Sequence, residues 1–297
     1  MPTLTAIQTR LAQLAQSTED SIIKSVIQLL ISQKYCAQLS AETVQNYCRQ
    51  YALTPITLAL TCLPIAACYA RVPVSNFYVG AIAIGKSGTF YFGANQEFAQ
   101  EAMQQTVHAE QSAVSHAWLA GEEALSDMVV NYTPCGHCRQ FMNELNSAPQ
   151  LKIHLPHSQN NLLHSYLPDA FGPKDLNVEK VLFDPQQHTV PTETDPLVRA
   201  AMEACSHSYA PYSQAISGVA LQVGERIIQG RYEENAAVNP SFLPLQSALN
   251  YRRLQGLEDV AVSRIVLAER KAVLSHRNIT AALAKTVLGL EPEYFSF

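Results

Sequence analysis

What this chain lacks first is a run of basic residues. Its net charge is −5, and Lys and Arg are nowhere clustered. A nucleic-acid groove needs such clusters, so no nucleic-acid partner is expected. Also missing is any apolar stretch near the ~20 residues that span a bilayer. The N-terminus shows neither the charged nor the apolar region of a signal peptide, so no membrane partner is expected. The seven cysteines are an odd number. Without a secretory signal they point to reduced thiols and a cytoplasmic setting. Cys36, Cys48, Cys62, Cys68 and Cys205 show no metal-like spacing among themselves and read as small buried hydrophobes. What remains is an ordinary globular chain. Apolar residues make up 47% of the 297, and the length suggests roughly two domains of ~150 residues.

The informative stretch is Thr106-Val-His-Ala-Glu110, followed by Asn131-Tyr-Thr-Pro-Cys-Gly-His-Cys138. Two thiolates and an imidazole (Cys135, Cys138, His108) give a zinc ion three ligands and leave a fourth position for water, the arrangement of a catalytic site. Glu110 is a poor fourth ligand and a good proton carrier. Apolar Ala113, Val114, Ala117, Trp118 and Ala120 predict a helix from His108 to Ala120, with Gly121 as its stop. Residues two apart do not share a helix face. His108 and Glu110 can therefore flank one metal only if it lies off the helix N-terminus. Cys135 and Cys138 share one face of a turn, and Pro134 suits the first turn of a second helix over 135–145. Two positive helix ends would then favour ionised thiolates. Taken alone, the C-x-x-C also fits a redox pair or half of a structural zinc site. His116 and His137 read as structural.

In chain order, residues 1–52 predict helices. Leu4, Ile7, Leu11 and Leu14 keep helical spacing, a second helix starts at Thr18-Glu-Asp, and Ser40 caps a third. A further helical segment over 53–70 should be kinked or divided by Pro64. A loop from Arg71 enters a strand ending at Ile84, Gly85-Lys-Ser-Gly88 makes a hairpin turn, and Thr89–Phe92 returns. Asn95-Gln-Glu97 is placed to hold a substrate's hydroxyls, although a solvated loop would read the same way. Met128–Tyr132 predicts a buried strand. Strand and helix alternate, which argues for an α/β layered fold. Residues 166–176 are turn-rich with an exposed-looking Phe171, and 184–196 read as a linker.

The second half repeats the first with its chemistry removed. Pro211 falls on Pro73, Ser213 on Ser75, Gly218 on Gly80, Gly230 on Gly93, Gln246-Ser-Ala248 on Gln111-Ser-Ala113, and Gly256 on Gly121. In this register His108 becomes Leu243 and Glu110 becomes Leu245. No cysteine follows Cys205. So long a period marks a duplicated domain.

H-x-E…P-C-x-x-C is a signature of zinc deaminases. With Val72–Phe77, Tyr91–Glu97, Gln104–Ala113, Asn131–Arg139 and Leu167–Lys174, the chain resembles the cytidine deaminase family, specifically its long homodimeric bacterial type. The resemblance implies a duplicated three-layer α/β/α core: a helical segment over 1–52, a catalytic domain over 53–183 and a degenerate copy over 184–297. It implies one zinc per chain, held by His108, Cys135 and Cys138, with Glu110 as proton shuttle. Asn95 and Glu97 would hold the ribose. Phe77 and Tyr132 would line the base pocket, and Ala109 would also bind substrate. Phe171 and Ala236-Ala237 would help close the partner subunit's site. The expected reaction is hydrolytic deamination of cytidine and 2′-deoxycytidine in pyrimidine salvage, with a zinc-bound hydroxide attacking C4. Nucleosides are expected over nucleotides, because Glu97 would repel a 5′-phosphate.

Overall fold

A computed structural model describes residues 5–297; Leu4, expected in the first helix, lies outside them. The chain opens with α1 (Ala6–Ser17), α2 (Ser21–Ser32), the short β1 (Gln38–Leu39), α3 (Ala41–Tyr51) and α4 (Pro55–Ala67). Each helix starts where a polar side chain meets the free N–H groups of its first turn. Thr5, Asp20, Ser40 and Thr54 all cap in this way. Pro64 does not divide α4. Its own face is exposed, while Leu58, Ala59, Cys62, Leu63, Ile65 and Ala66 bury the other face. That burial outweighs the one backbone bond a proline removes.

Next come β2 (Gly80–Gly85), β3 (Phe90–Ala94), α5 (Ala109–Leu119), β4 (Leu125–Val130), α6 (Gly136–Met142), β5 (Lys152–Leu155), β6 (Ser158–Leu162) and α7 (Leu163–Tyr166). The expected hairpin at Gly85–Gly88 is present, closed by the Gly85 amide on the Thr89 carbonyl at 2.9 Å, with Gly88 at φ +89°. The strand expected over 128–132 ends at Val130, and the helix expected over 135–145 ends at Met142. The sheet order is β1-β3-β2-β4-β5-β6, with β4 and β5 parallel.

The second half provides α8 (Pro196–Ser206), β7 (Ser217–Val223), β8 (Arg226–Arg231), α9 (Pro244–Leu254), β9 (Val262–Glu269), α10 (Arg277–Leu288) and β10 (Glu293–Ser296). Its sheet order, β8-β7-β9-β10, repeats β3-β2-β4-β5, including the parallel final pair. The C-terminal tail is thus the last strand of the second sheet.

Two glycines show why the helices lie so close. A Cβ on Gly93 would sit 2.3 Å from the Ala113 amide of α5, and one on Gly230 would sit 2.2 Å from the Ala248 amide of α9. Only glycine lets these helix backbones rest on their strands.

The layers run α4, first sheet, α5 and α6 against α9 and α10, second sheet, α8. One apolar core joins both halves, containing Ala113 and Val114 of α5 together with Leu245 and Ala248 of α9. Within it runs a polar seam with approximate two-fold symmetry. Gln111 donates from Nε2 to the Pro240 carbonyl at 2.9 Å, and its counterpart Gln246 donates to the Gln105 carbonyl at 2.8 Å. Ser112 Oγ donates to Asn250 Oδ1 at 2.6 Å. Buried polar groups must be paired, and here the second half pairs the polar residues of the first.

Candidate metal and substrate site

His108 is the N-cap of α5 and Cys135 the N-cap of α6. Both occupy extended backbone just before a helix, so both side chains project beyond helix ends. Cys138 lies one turn into α6. His108 Nδ1 is 3.5 Å from Cys135 Sγ and 3.3 Å from Cys138 Sγ, and the two sulfurs are 3.6 Å apart. A tetrahedral zinc with ordinary bond lengths would hold two sulfurs about 3.8 Å apart and a sulfur and a nitrogen about 3.6 Å apart. The triangle fits that ion closely. Among the described residues it is the one set of three ligand-type side chains drawn so near together. The Cys138 thiol and the His108 imidazole, both hydrogen-bonded to Cys135, bring its thiol down to about 3, against the opposing effect of burial. Burial pushes Cys138 well up. Nδ1 ligation leaves the outer face of the His108 ring to stack on His137, with ring centroids 4.6 Å apart.

Glu110 is 4% exposed, and burial raises its carboxyl above the usual range. It lines the same cavity of about 320 Å³ as the three ligands, together with Asn95, Glu97, Phe77, Ala109 and Tyr132. The Phe77 and Tyr132 rings meet at 4.6 Å between centroids, tilted by 39°, and each is about half exposed. A larger cavity, about 490 Å³, lies under residues 164–181. Donor chemistry, not size, therefore identifies the site.

Asn95 and Glu97 are not a solvated loop. Asn95 accepts from the Val79 amide at 2.9 Å and donates to the Phe77 carbonyl at 2.8 Å. Glu97 accepts from the Val74 and Ser75 amides at 2.9 and 3.0 Å. The two side chains clamp the loop that carries Phe77. The second copy repeats the clamp: Glu234 accepts from the Tyr212 and Ser213 amides at 2.8 and 3.1 Å. Clamping is thus a property of the fold. What sets Asn95 and Glu97 apart is that they also face the cavity.

Phe171 does not line this cavity. Gln140 and Asn143 donate to its carbonyl, and its ring is half exposed. Ala236 is buried, donating its amide to Glu144, while Ala237 is exposed. Sequence reasoning missed Arg139, which donates to the Pro134 carbonyl at 2.7 Å and the Tyr166 carbonyl at 2.9 Å, fixing the turn before Cys135. It also missed Met103, Thr106 and Thr133 on the cavity wall. An arginine one residue past a C-x-x-C was the only signal available.

Residues 54–153 and 163–281 each match a family model described as "Cytidine and deoxycytidylate deaminase zinc-binding region". A relative from Actinobacillus pleuropneumoniae named "Cytidine deaminase" is 66% identical over 294 residues, 99% of each chain. The chain belongs to the cytidine deaminase family. It is an enzyme of that family, with zinc as its cofactor. Relatives of the same name from Mannheimia succiniciproducens and Haemophilus influenzae are 67% and 51% identical. They are matched over 96% and 94% of this chain and 97% and 96% of their own. The fold is the family's duplicated α/β arrangement. In the second copy Leu243 caps α9 where His108 caps α5, and Leu245 stands in Glu110's place. That half matches a zinc-binding model without these ligands.

Proposed function

We propose that this enzyme hydrolyses cytidine and 2′-deoxycytidine to uridine and 2′-deoxyuridine, releasing ammonia. The observation that carries the reading is a buried carboxyl, Glu110, opening onto the same cavity as His108, Cys135 and Cys138. Zinc held by those three residues supplies the Lewis acidity that brings a water's pKa toward ~7. Glu110 takes a proton from the attacking water and delivers it to the ring nitrogen beside C4, as the water oxygen adds there. It then carries the second proton to the amino group, and ammonia leaves. Burial suits it to this work, because a raised carboxyl pKa moves proton exchange toward neutral pH.

Asn95 and Glu97 bind the ribose hydroxyls, and Phe77, Ala109 and Tyr132 form the wall for the base. A carboxylate at the ribose end repels a 5′-phosphate, so the substrate is a nucleoside. The catalytic unit spans 53–183, preceded by the helical segment 1–52 and followed by the second copy over 184–297. The enzyme works in the cytoplasm as a homodimer in pyrimidine salvage, with Phe171 and Ala236-Ala237 closing the partner subunit's cavity.

The test follows the loss of cytidine's ultraviolet absorbance, with zinc measured on the same sample. The expected result is turnover at about one zinc per chain. Glu110→Ala should keep the metal and lose at least the ~10²–10⁴ in rate that a general acid/base contributes. Substantial turnover by Glu110→Ala would overturn the role given to Glu110. Equal turnover of cytidine monophosphate would overturn the preference for nucleosides.

A further inference from the structure

A cavity of about 400 Å³ lies on the far side of the segment that carries Asn95 and Glu97. Strand-like alternation turns Gln96 into it, and Arg10, Arg71, Arg252 and Arg253 surround it, with Phe98, Leu249, Val287 and Leu288 as apolar wall. Four guanidinium groups face two acids. Glu258 pairs with Arg253, and Asp259 lies near Arg252. Arg10 and Arg253 are committed to structure, because they donate to the Cys68, Tyr69 and Ala70 carbonyls at the end of α4, and so is Arg252, which donates to the Glu258 and Val260 carbonyls. Arg71 is different. Its guanidinium lies over the Phe98 ring, 6.0 Å from the centroid, and it has no ion-pair partner among the described residues. Met1–Leu4 contain no acidic side chain to supply one. The excess charge is felt within the cavity: burial, then Arg10 and Arg71, bring Arg253 down to about 9.

The second copy supplies an independent comparison. The backbone bridge Arg71–Gln96 recurs there as Tyr209–Glu233. At that place Tyr209 donates its hydroxyl at 2.6 Å to Glu144, a fully buried carboxylate from the first half of the chain. Where the second copy holds an anion of the protein itself, the first copy offers arginines, and α10 brings only Val287 and Leu288 to the wall.

We propose that this cavity binds a phosphate-bearing anion, free or carried on a nucleotide, and that its occupancy alters nucleoside affinity in the substrate cavity. Guanidinium forks match phosphate oxygens in geometry and charge. The route between the cavities is short. The Arg71 amide donates to the Asn95 carbonyl at 2.9 Å, and the Glu97 amide donates to the Arg71 carbonyl at 2.7 Å. A ligand that moves Arg71 moves the backbone of both residues on the other face. The binding stands without reference to the reaction; the coupling rests on the proposed ribose role of Asn95 and Glu97.

The test is calorimetric titration of the full-length zinc enzyme with inorganic phosphate, pyrophosphate and adenosine triphosphate at constant ionic strength, repeated with Arg71→Gln. Saturable binding of at least one of them, weakened tenfold or more in Arg71→Gln, is expected. Which of the three binds tightest tells free phosphate from a nucleotide. The same ligand should shift the KM for cytidine in the parent enzyme and leave that of Arg71→Gln unchanged. No saturable binding, or equal binding by Arg71→Gln, overturns the site. Binding lost in Arg71→Gln without any KM shift overturns the coupling alone. A KM shift that persists in Arg71→Gln places the anion in the substrate cavity and also overturns the proposal. Because binding is read as heat, an enzyme inactive on cytidine would sink the deaminase reading and the coupling with it, but leave the binding site standing.

Discussion

Four acidic side chains inside this fold meet four environments, and each has a different consequence. Glu97 is pushed up by burial, but donors from Ser75 and Val74 outweigh that and hold it below the usual range, ionised and clamping. Glu144 accepts from Tyr209, Tyr212 and Ala236. Glu110 is raised by burial, in keeping with the proton transfers proposed for it. Glu233 lies in the seam between the copies, with Ser115 on one oxygen and, among the described residues, no partner on Oε2. Burial pushes it up to about 8, opposed by Ser115 and by Arg231 nearby. A carboxyl whose folded pKa is raised binds more protons folded than unfolded. Its stabilising protonated state is therefore complete below the unfolded value near ~4.3 and is lost as pH rises toward about 8. Glu233→Gln keeps the shape without the charge. Its melting temperature should vary less between pH 5 and 8 than the parent's, with a gain at pH 8 of at least about 1 kcal/mol, the worth of one pKa unit. An unchanged pH slope would mean that Arg231 already neutralises an ionised Glu233. None of this was legible in the sequence, where Glu233 is one acid among several in a loop.

At the scale of elements the sequence was a good guide to strands, caps and turns, and a weaker guide to α5. Its apolar positions showed a helix. Of its polar positions only His116 read as structural, yet Gln111, Ser112 and Ser115 are buried with it. The reason is α9, which covers that face and pairs Ser112 and Ser115, while the Pro240 carbonyl in the loop before it accepts from Gln111. His116 donates from Nδ1 to the Phe92 carbonyl instead, at 2.9 Å. A single sequence does not say which helix lies against which, so the burial of these polar positions was not legible in it. The close contacts of α5 and α9 with their strands give a paired prediction. Gly93→Ala and Gly230→Ala both force a methyl group into helix backbone, and overpacking of this kind costs about 1–3 kcal/mol or more. Both should melt lower. Only Gly93→Ala displaces the helix end that carries His108 and Glu110, so only it should lose zinc per folded chain. Metal analysis of the two folded variants at low temperature checks this. Equal zinc retention would show that α5 can shift as a body without opening the ligand triangle.

For the whole molecule, the cluster of His108, Cys135 and Cys138 and the duplication were both readable because they are patterns of residue type along the chain. Closure of the site was not, because it depends on surfaces that one chain leaves open. Phe77 and Tyr132 are half exposed at the mouth of the cavity, and Phe171 is half exposed away from it. If Phe171 serves the partner subunit's cavity, its loss and the loss of Glu110 fall on different sites of one dimer. Phe171→Ala homodimers should turn over cytidine more slowly while keeping their zinc, and Glu110→Ala homodimers should be nearly inactive. In a mixed dimer, the Phe171→Ala chain retains its own Glu110 and receives an intact Phe171 from the Glu110→Ala chain. One site of the two is then whole. Co-expressed and purified as heterodimer, the pair should regain about half the parent turnover, the share of one independent site. If Phe171 acts on its own chain's cavity, mixing brings no such gain, because the one chain with an intact Glu110 still lacks its Phe171; if it acts on neither cavity, the Phe171→Ala homodimer is not slowed at all.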